Sequence, residues 1–178
     1  AINMFDGINL QVILFCIFIF MVFIIKGFLS FFFILLLISF FFIGLLNYQN
    51  KVFIGDGGCF LISAILGSSF IYQYENYSNF LFGDEIFIIL FIPAIDMLRL
   101  FVSRIVNKKN PFKGDLNHLH HKVDHYVKNK TLTVFITISL SIFPCLLMFL
   151  GLKTYYILVL NLIIYTSLIL FLKNKNNI

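Results

Sequence analysis

Long apolar runs are the feature that most constrains this chain. The stretch 28–46, rich in Phe, Ile and Leu, holds no charged side chain. A helix needs about 20 such residues to cross a bilayer, and helices satisfy their backbone hydrogen bonds internally, as hydrocarbon surroundings require. Runs of this kind recur along the sequence. The six predicted transmembrane segments are about 8–25, 28–46, 60–74, 85–106, 132–150 and 155–172.

Composition agrees with this interpretation. Hydrophobic residues make up 61% of the 178 residues and charged residues 12%, and the mean hydropathy is +1.00, which the surface of a soluble domain would not tolerate. We therefore predict an all-α, polytopic integral membrane protein with about six transmembrane helices in a single membrane domain over residues 1–178. The net charge of +5 predicts contact with membrane lipid and not with nucleic acid, because the basic residues lie at the ends of apolar runs.

The basic residues also predict an orientation. If the helices alternate in direction, one side receives the N-terminus, the loops at about 47–58 and 107–130, and the C-terminal tail. That side holds ten lysine and arginine residues, whereas the other side holds Lys26 and Lys153. The positive-inside rule then makes the first side cytoplasmic.

Carboxylates and imidazoles fall on the same predicted side. The loop at 107–130 alone contains all four histidines and six of the 13 basic residues. Three separate polar segments therefore meet one membrane face, which indicates a site for an anionic, metal-bound substrate. The acidic and histidine residues on this side are Asp6, Asp56, Asp115, His118, His120, His121, Asp124 and His125.

The first polar segment contains Asn3, Asp6 and Asn9 at three-residue spacing. In a helix start, these side chains would share one face and could hold a polar ligand. The alternative is that Asp6 only caps a helix beside a glycine.

The second polar segment, 51–59, places Asp56 among three glycines directly before a membrane helix. Glycines let a ligand approach the backbone closely, and a hard cation such as Mg²⁺ takes one or two carboxylates together with phosphate oxygens. The alternative is a glycine-rich turn in which Asp56 caps the helix.

The third polar segment has three histidines within four positions, His118, His120 and His121, preceded by Asp115. Zinc is one explanation, since imidazole is a common ligand, but no thiolate is near and the surrounding lysines oppose a second cation. Imidazoles and lysines together suit phosphate oxygens better. Close by, Asp96 precedes Arg99 by three residues and predicts an intramembrane ion pair, with support of the site as the alternative.

Together these motifs resemble the bacterial polyprenyl-phosphate N-acetylhexosamine-1-phosphate transferases. The resemblance covers nearly the whole chain and is most specific in the third motif, whose His-x-His-His form is similar to the branch that initiates O-antigen, enterobacterial common antigen and teichoic acid linkage units. The matching motifs are Asn3-x-x-Asp6-Gly7, Phe53-x-Gly55-Asp56-x-Gly58 and Pro111-Phe112-x-x-Asp115-x-x-His118-x-His120-His121.

The resemblance implies a role for each motif. Asp56 would be a catalytic metal ligand, holding Mg²⁺, with Mn²⁺ as the alternative, on the diphosphate of a UDP-N-acetylhexosamine. Phe53 would stack on uracil, Asn3, Asp6 and Asn9 would contact the nucleotide sugar or the lipid phosphate, and Asp115 would assist the histidines. The remaining catalytic residues implied are Asp6, His118, His120 and His121.

The implied reaction joins a sugar phosphate to undecaprenyl phosphate at the cytoplasmic face of the bacterial inner membrane and releases UMP. N-acetylglucosamine is the expected sugar, with N-acetylfucosamine and N-acetylquinovosamine as alternatives, and a homodimer is a further expectation. The product would initiate a cell-surface polysaccharide such as lipopolysaccharide O-antigen, in cell wall biogenesis.

Three features depart from the family pattern. Asn9 stands where members usually have a second aspartate, and the loop before Asp56 is slightly short. The paired aspartates of the family's N-terminal half have no counterpart here. We therefore expect this chain to be the C-terminal part of a larger helical bundle, inactive alone.

Two rival functions remain open. A non-catalytic transporter fragment with a metal-binding histidine loop would line a path across the bilayer with ionisable groups. A diiron membrane oxygenase would need several histidine clusters, and the sequence has one.

Overall fold

A computed structural model describes residues 2–76, 81–111 and 117–175. Every regular element in these ranges is a helix, which confirms the predicted all-α class. The helices are α1 (Ile2–Phe5), α2 (Gln11–Ile25), α3 (Ser30–Tyr48), α4 (Gly55–Asn76), α5 (Gly83–Ile89), α6 (Phe91–Val106), α7 (Leu119–Val127), α8 (Lys130–Phe149) and α9 (Thr154–Lys175).

Each of the six predicted apolar segments forms helix, but they differ in length. Helices α3, α4, α8 and α9 are long and apolar enough to cross a membrane, and the pair α5 and α6 passes the same test with a bend of 74° at its break. Helix α2 has only 15 residues, fewer than the ~20 that a span requires. The described residues therefore contain four candidate spans, or five with the bent pair, where the sequence predicted about six.

Two helix boundaries differ from the prediction for local reasons. Helix α4 begins at Gly55, five residues earlier than expected, and carries Asp56 in its first turn. A negative side chain at this position stabilises a helix, because it interacts favourably with the positive end of the helix dipole. The break before α6 falls at Leu90, three residues before Pro93. Proline is tolerated there because the first N–H groups of a helix have no intrahelical partner.

The described residues form two compact units, one from residue 2 to residue 86 and the other from residue 87 onward. In the first unit, α2 packs along α3, and α1 contacts α4. Its core is aromatic: the rings of Phe23 and Phe33 stack with centroids 4.5 Å apart, and Phe20 meets Phe40 edge-on at 5.1 Å. Phenylalanine pairs of this kind add to the stability gained from burial.

In the second unit, the short helix α7 packs against α8 and α9, and α6 contacts α8. Asn129 caps α8, since its side-chain oxygen accepts a hydrogen bond from the backbone N–H of Leu132 at 3.1 Å. Tyr126 of α7 meets Phe171 of α9 edge-on, with ring centroids 5.5 Å apart. These contacts hold the histidine segment against the two last helices.

Candidate functional site

The centre of the second unit is the carboxylate of Asp96, which is 5% exposed. It accepts hydrogen bonds from Arg99 Nη2 at 2.8 Å and from the Tyr165 hydroxyl at 2.8 Å. It also lies 2.9 Å from His118 Nδ1 and 3.2 Å from the backbone nitrogen of Leu119. The predicted ion pair with Arg99 is confirmed, and the same carboxylate reaches the histidine segment.

Asp96 also fixes where α7 begins. The N-cap residue His118 makes no side-chain capping bond, so the first N–H groups of α7 need another acceptor. The Asp96 carboxylate, which comes from α6, accepts from Leu119, the first of these groups. One carboxylate therefore positions both the start of α7 and the imidazole next to it.

Arg99 extends this network towards the loop. Its Nε atom donates to the Tyr165 hydroxyl at 2.7 Å, and its Nη2 atom donates to the carbonyl oxygen of Asn117 at 2.7 Å. The guanidinium thus ties α6, α9 and the residue before His118 together. A planar group with five fixed donors suits such a junction.

The three histidine rings lie together, as the sequence predicted. The rings of His118 and His120 are nearly parallel, with centroids 5.6 Å apart, and His120 and His121 are 4.2 Å apart. Burial, reinforced by the two neighbouring imidazoles, lowers the pKa of His120 to about 3. His120 is therefore neutral at physiological pH. Asp115, predicted to assist these histidines, lies outside the described residues.

Two other predicted site residues, Asp6 and Asp56, lie near each other in the first unit. Asp6 follows α1, which packs against α4, and the thiol of Cys59 lies 3.6 Å from Asp6 Oδ2. Burial raises the pKa of Asp6, the hydrogen bond with Cys59 partly opposes that shift, and the charge of Asp56 adds to it. Two carboxylates thus stand at the start of α4.

The expectation that Asn3, Asp6 and Asn9 share one helical face is wrong. Helix α1 ends at Phe5, so Asp6 and Asn9 lie in the turn that leads to α2. The turn breaks the helix because Gly7 lowers helix propensity and Leu10 adopts a left-handed conformation with φ 71°. Phe53, the predicted uracil contact, is 67% exposed.

Asn9 has partners within the protein. Its Nδ2 atom donates to the backbone oxygen of Asn47 at 3.1 Å and to Asn50 Oδ1 at 2.6 Å. Asn47 itself, which the sequence analysis missed, accepts from the backbone of Leu10 at 2.7 Å and donates to Val52 at 2.8 Å. The sequence feature that could have indicated Asn47 is a single amide side chain at the end of an apolar helix. The sequence analysis also missed Tyr165, whose only sequence feature is a single hydroxyl within the apolar helix α9.

Within the described ranges, no group of three or more His, Cys, Asp or Glu side chains is arranged to hold a metal ion. Asp6 and Asp56 supply two carboxylates. Mg²⁺ typically uses one or two protein carboxylates and completes its shell with water and substrate phosphate oxygens. The pair therefore fits a magnesium ion that a substrate helps to bind.

Comparison with known proteins shows a similarity to a transferase over part of the chain. The chain is 37% identical over 93 residues to the undecaprenyl-phosphate alpha-N-acetylglucosaminyl 1-phosphate transferase of Thermotoga maritima, an alignment that covers 51% of this chain and 30% of that relative. No protein-family model and no solved structure matches the chain. Over about half of its length the chain is thus similar to a phosphosugar transferase, which supports the family resemblance predicted from its motifs.

Proposed function

We propose that this chain is part of an enzyme that transfers an N-acetylhexosamine 1-phosphate, by default N-acetylglucosamine 1-phosphate, from a UDP-sugar to undecaprenyl phosphate. The similarity over 93 residues to a transferase of that name carries the proposal. The chain spans 30% of that relative's length, so the activity is proposed for the full-length protein. The site would face the cytoplasm from the bacterial inner membrane, and the product would initiate a cell-surface polysaccharide.

In this reaction, an oxygen of the lipid phosphate attacks the phosphorus that carries the sugar. The new bond joins that oxygen to the phosphorus, and the bond to the bridging oxygen of the nucleotide breaks, so UMP leaves with the electron pair. Phosphoryl transfer of this kind depends mainly on positioning and charge stabilisation. The residues need to hold phosphate oxygens in place more than to move protons.

The histidine segment suits that task. Because the carboxylate of Asp96 accepts from His118 Nδ1, Nε2 is the ring nitrogen left to contact a phosphate oxygen. A carboxylate that holds one ring nitrogen fixes both the tautomer and the orientation of an imidazole. Arg99, held in the same network, brings a permanent positive charge beside it.

Asp56, with Asp6 beside it, would hold magnesium. When bound, the ion would offset the negative charge of the diphosphate. The observation in favour is that the two carboxylates stand together at the start of α4, where the Asp56 charge already disfavours ionisation of Asp6. Phe53, three residues before Asp56 in the sequence, is exposed and would supply the aromatic face for the uracil ring.

The test is to incubate the full-length protein with UDP-N-acetylglucosamine, undecaprenyl phosphate and Mg²⁺ and to measure UMP release. We expect release that requires both substrates and falls at least 100-fold in Asp56→Asn. Asp84→Asn is the matched control, since Asp84 also lies in the first turn of a helix and is exposed. Full activity of Asp56→Asn would remove Asp56 from the site, whereas histidine-dependent metal uptake without UMP release would favour the transporter alternative.

A further inference from the structure

Tyr165 places a hydroxyl group inside α9, a helix that is long and apolar enough to cross a membrane. The residue is 3% exposed. Its hydroxyl donates to Asp96 Oδ1 at 2.8 Å and accepts from Arg99 Nε at 2.7 Å. A buried tyrosine hydroxyl needs such partners, whereas phenylalanine would fill the same space without that requirement. Packing alone therefore does not account for a tyrosine at this position.

The two carboxylate oxygens of Asp96 have different partners. Oδ1 accepts from the Tyr165 hydroxyl and from Arg99 Nη2, both at 2.8 Å. Oδ2 lies 2.9 Å from His118 Nδ1. The backbone nitrogen of Leu119 is shared, at 3.3 Å from Oδ1 and 3.2 Å from Oδ2. The side-chain donors from α6 and α9 therefore gather on one oxygen, which leaves the other to the imidazole.

Arg99 does not pair with Asp96 in the usual way. A guanidinium beside a carboxylate frequently donates to both oxygens in parallel. Here both of its hydrogen bonds to Asp96 go to Oδ1, from Nη2 at 2.8 Å and from Nε at 3.3 Å. The shorter bond of Nε, at 2.7 Å, goes to the Tyr165 hydroxyl. The tyrosine thus draws one arm of the guanidinium away from the carboxylate.

We infer that Tyr165 is a positioning residue for the imidazole of His118. Its hydroxyl occupies Arg99 Nε and Asp96 Oδ1, and so keeps Oδ2 for the histidine. Without the hydroxyl, Arg99 turns to pair with both carboxylate oxygens, because its planar group fits a carboxylate bidentately. His118 Nδ1 then competes with a charged donor for Oδ2 and loses its fixed orientation. The effect on catalysis rests on the proposed function, whereas the effect on the imidazole does not.

The first test is Tyr165→Phe, which removes only the hydroxyl. The readout is the NMR signal of the His118 Nδ1 proton in the full-length protein in detergent, assigned by its loss in His118→Gln. A proton held by a carboxylate resonates downfield, so we expect the signal to move upfield or to broaden beyond detection in the variant. Tyr156→Phe is the matched control, because Tyr156 lies in the same helix and is 60% exposed. An unchanged signal in Tyr165→Phe, or an equal change in the control, would overturn the inference.

A second variant distinguishes this role from packing. Lysine keeps the charge of Arg99 but has no planar fork with which to take both oxygens. Arg99→Lys in the Tyr165→Phe background should therefore return the Nδ1 signal towards its wild-type position, and a signal that stays lost would contradict the inference. If Tyr165→Phe is too unstable to purify, 3-fluorotyrosine in place of Tyr165 keeps the shape and strengthens the hydroxyl as a donor. That replacement should also move the signal, and no movement would be equally contradictory.

UMP release tests the connection to the proposed reaction. We expect Tyr165→Phe to lower it roughly 3- to 10-fold, less than the 10- to 100-fold typical of a carboxylate that holds a functional histidine directly. In an Asp96→Asn background the same change should cost less than about 2-fold, because residues that act through one another are not additive. Fully additive losses would overturn the inference. A wild-type protein that releases no UMP would instead refute the proposed function, and the NMR measurements would still decide the role of Tyr165.

Discussion

The Nδ1 atom of His118 lies 2.9 Å from the Oδ2 atom of Asp96, although 22 residues separate them in sequence. The same carboxylate accepts from Arg99 and from the hydroxyl of Tyr165. Because a carboxylate surrounded by donors is an acceptor, the proton lies on His118 Nδ1. In the proposed reaction Asp96 would therefore be a positioning residue, which would act on a substrate through the imidazole that it orients.

This relationship predicts the effect of Asp96→Asn. The amide keeps the shape of the carboxylate but removes its charge and offers a donor to groups that themselves donate, so His118 loses its fixed orientation. We expect UMP release by the full-length enzyme to fall about 10- to 100-fold, as for other carboxylates that orient functional histidines. The NMR signal of the His118 Nδ1 proton should shift or broaden as well.

The matched control for Asp96→Asn is Asp124→Asn in α7. Asp124 accepts a hydrogen bond from the Thr133 hydroxyl at 3.3 Å, a contact that lies outside the hydrogen-bond network of Asp96. We expect this variant to retain activity within about 3-fold. Equal losses in both variants would indicate general destabilisation and contradict a positioning role for Asp96.

Burial of His120 predicts that acid destabilises the fold. Its pKa is about 3 in the folded protein and about 6.5 when unfolded, so below pH 6.5 the unfolded state binds a proton that the folded state does not. The contribution of neutral His120 to the stability of the fold is therefore fully present above pH 6.5 and is lost as pH falls towards 3. Between pH 7.5 and pH 5.5, we expect the free energy of unfolding to fall by about 1.4 kcal/mol from this group.

His120→Phe isolates that contribution, because phenylalanine fills a similar volume and does not titrate. Denaturant unfolding in detergent at both pH values should show a pH-dependent loss smaller by about 1.4 kcal/mol in the variant. If the variant is too unstable to purify, an NMR titration of the His120 ring serves instead. A ring that protonates near pH 6.5 in the folded protein would contradict the prediction.

The sequence predicted those parts of the molecule that depend on local pattern. Apolar runs located the helices, and close spacing located the Asp96–Arg99 pair and the three histidines. The partner of His118 could not be predicted, because Asp96 meets it through the packing of α6 against the histidine segment. The end of α1 at Phe5 was also missed, since helical spacing indicates a shared face only when the helix continues. That the histidines and Asp56 act on one magnesium-bound substrate stays a prediction.

Gly55 and Gly57 make a matched pair at the start of α4. Gly55 has φ +64°, whereas Gly57 has ordinary helical geometry, and open space surrounds the position of a Cβ atom at both. We expect Gly55→Ala to destabilise the protein by roughly 1–2 kcal/mol, the cost of a left-handed conformation for a residue with a side chain. Gly57→Ala should stabilise it by about 0.5–1 kcal/mol through helix propensity.

Thermal unfolding of the two glycine variants checks the direction of both predicted changes in stability. Because Gly55 directly precedes Asp56, Gly55→Ala should also reduce UMP release, while Gly57→Ala should leave it near wild type. Destabilisation of similar size in both variants would show that the two positions differ less than their backbone conformations indicate.

The last prediction concerns Asn47, which is 4% exposed and joins three chain segments. Its side chain accepts from the backbone of Leu10 and donates to the carbonyl of Val52, next to Phe53. Asn47→Leu keeps a similar branched shape but leaves both backbone groups without this partner, and an unsatisfied buried polar group costs about 1–3 kcal/mol. We expect that loss in unfolding free energy, together with a higher KM for the UDP-sugar as the Phe53 segment loosens. The control Asn76→Leu removes only an exposed hydrogen bond to the carbonyl oxygen of Tyr72 within α4 and should change neither the unfolding free energy nor KM. An equal rise in KM in both variants would show that Asn47 does not position Phe53.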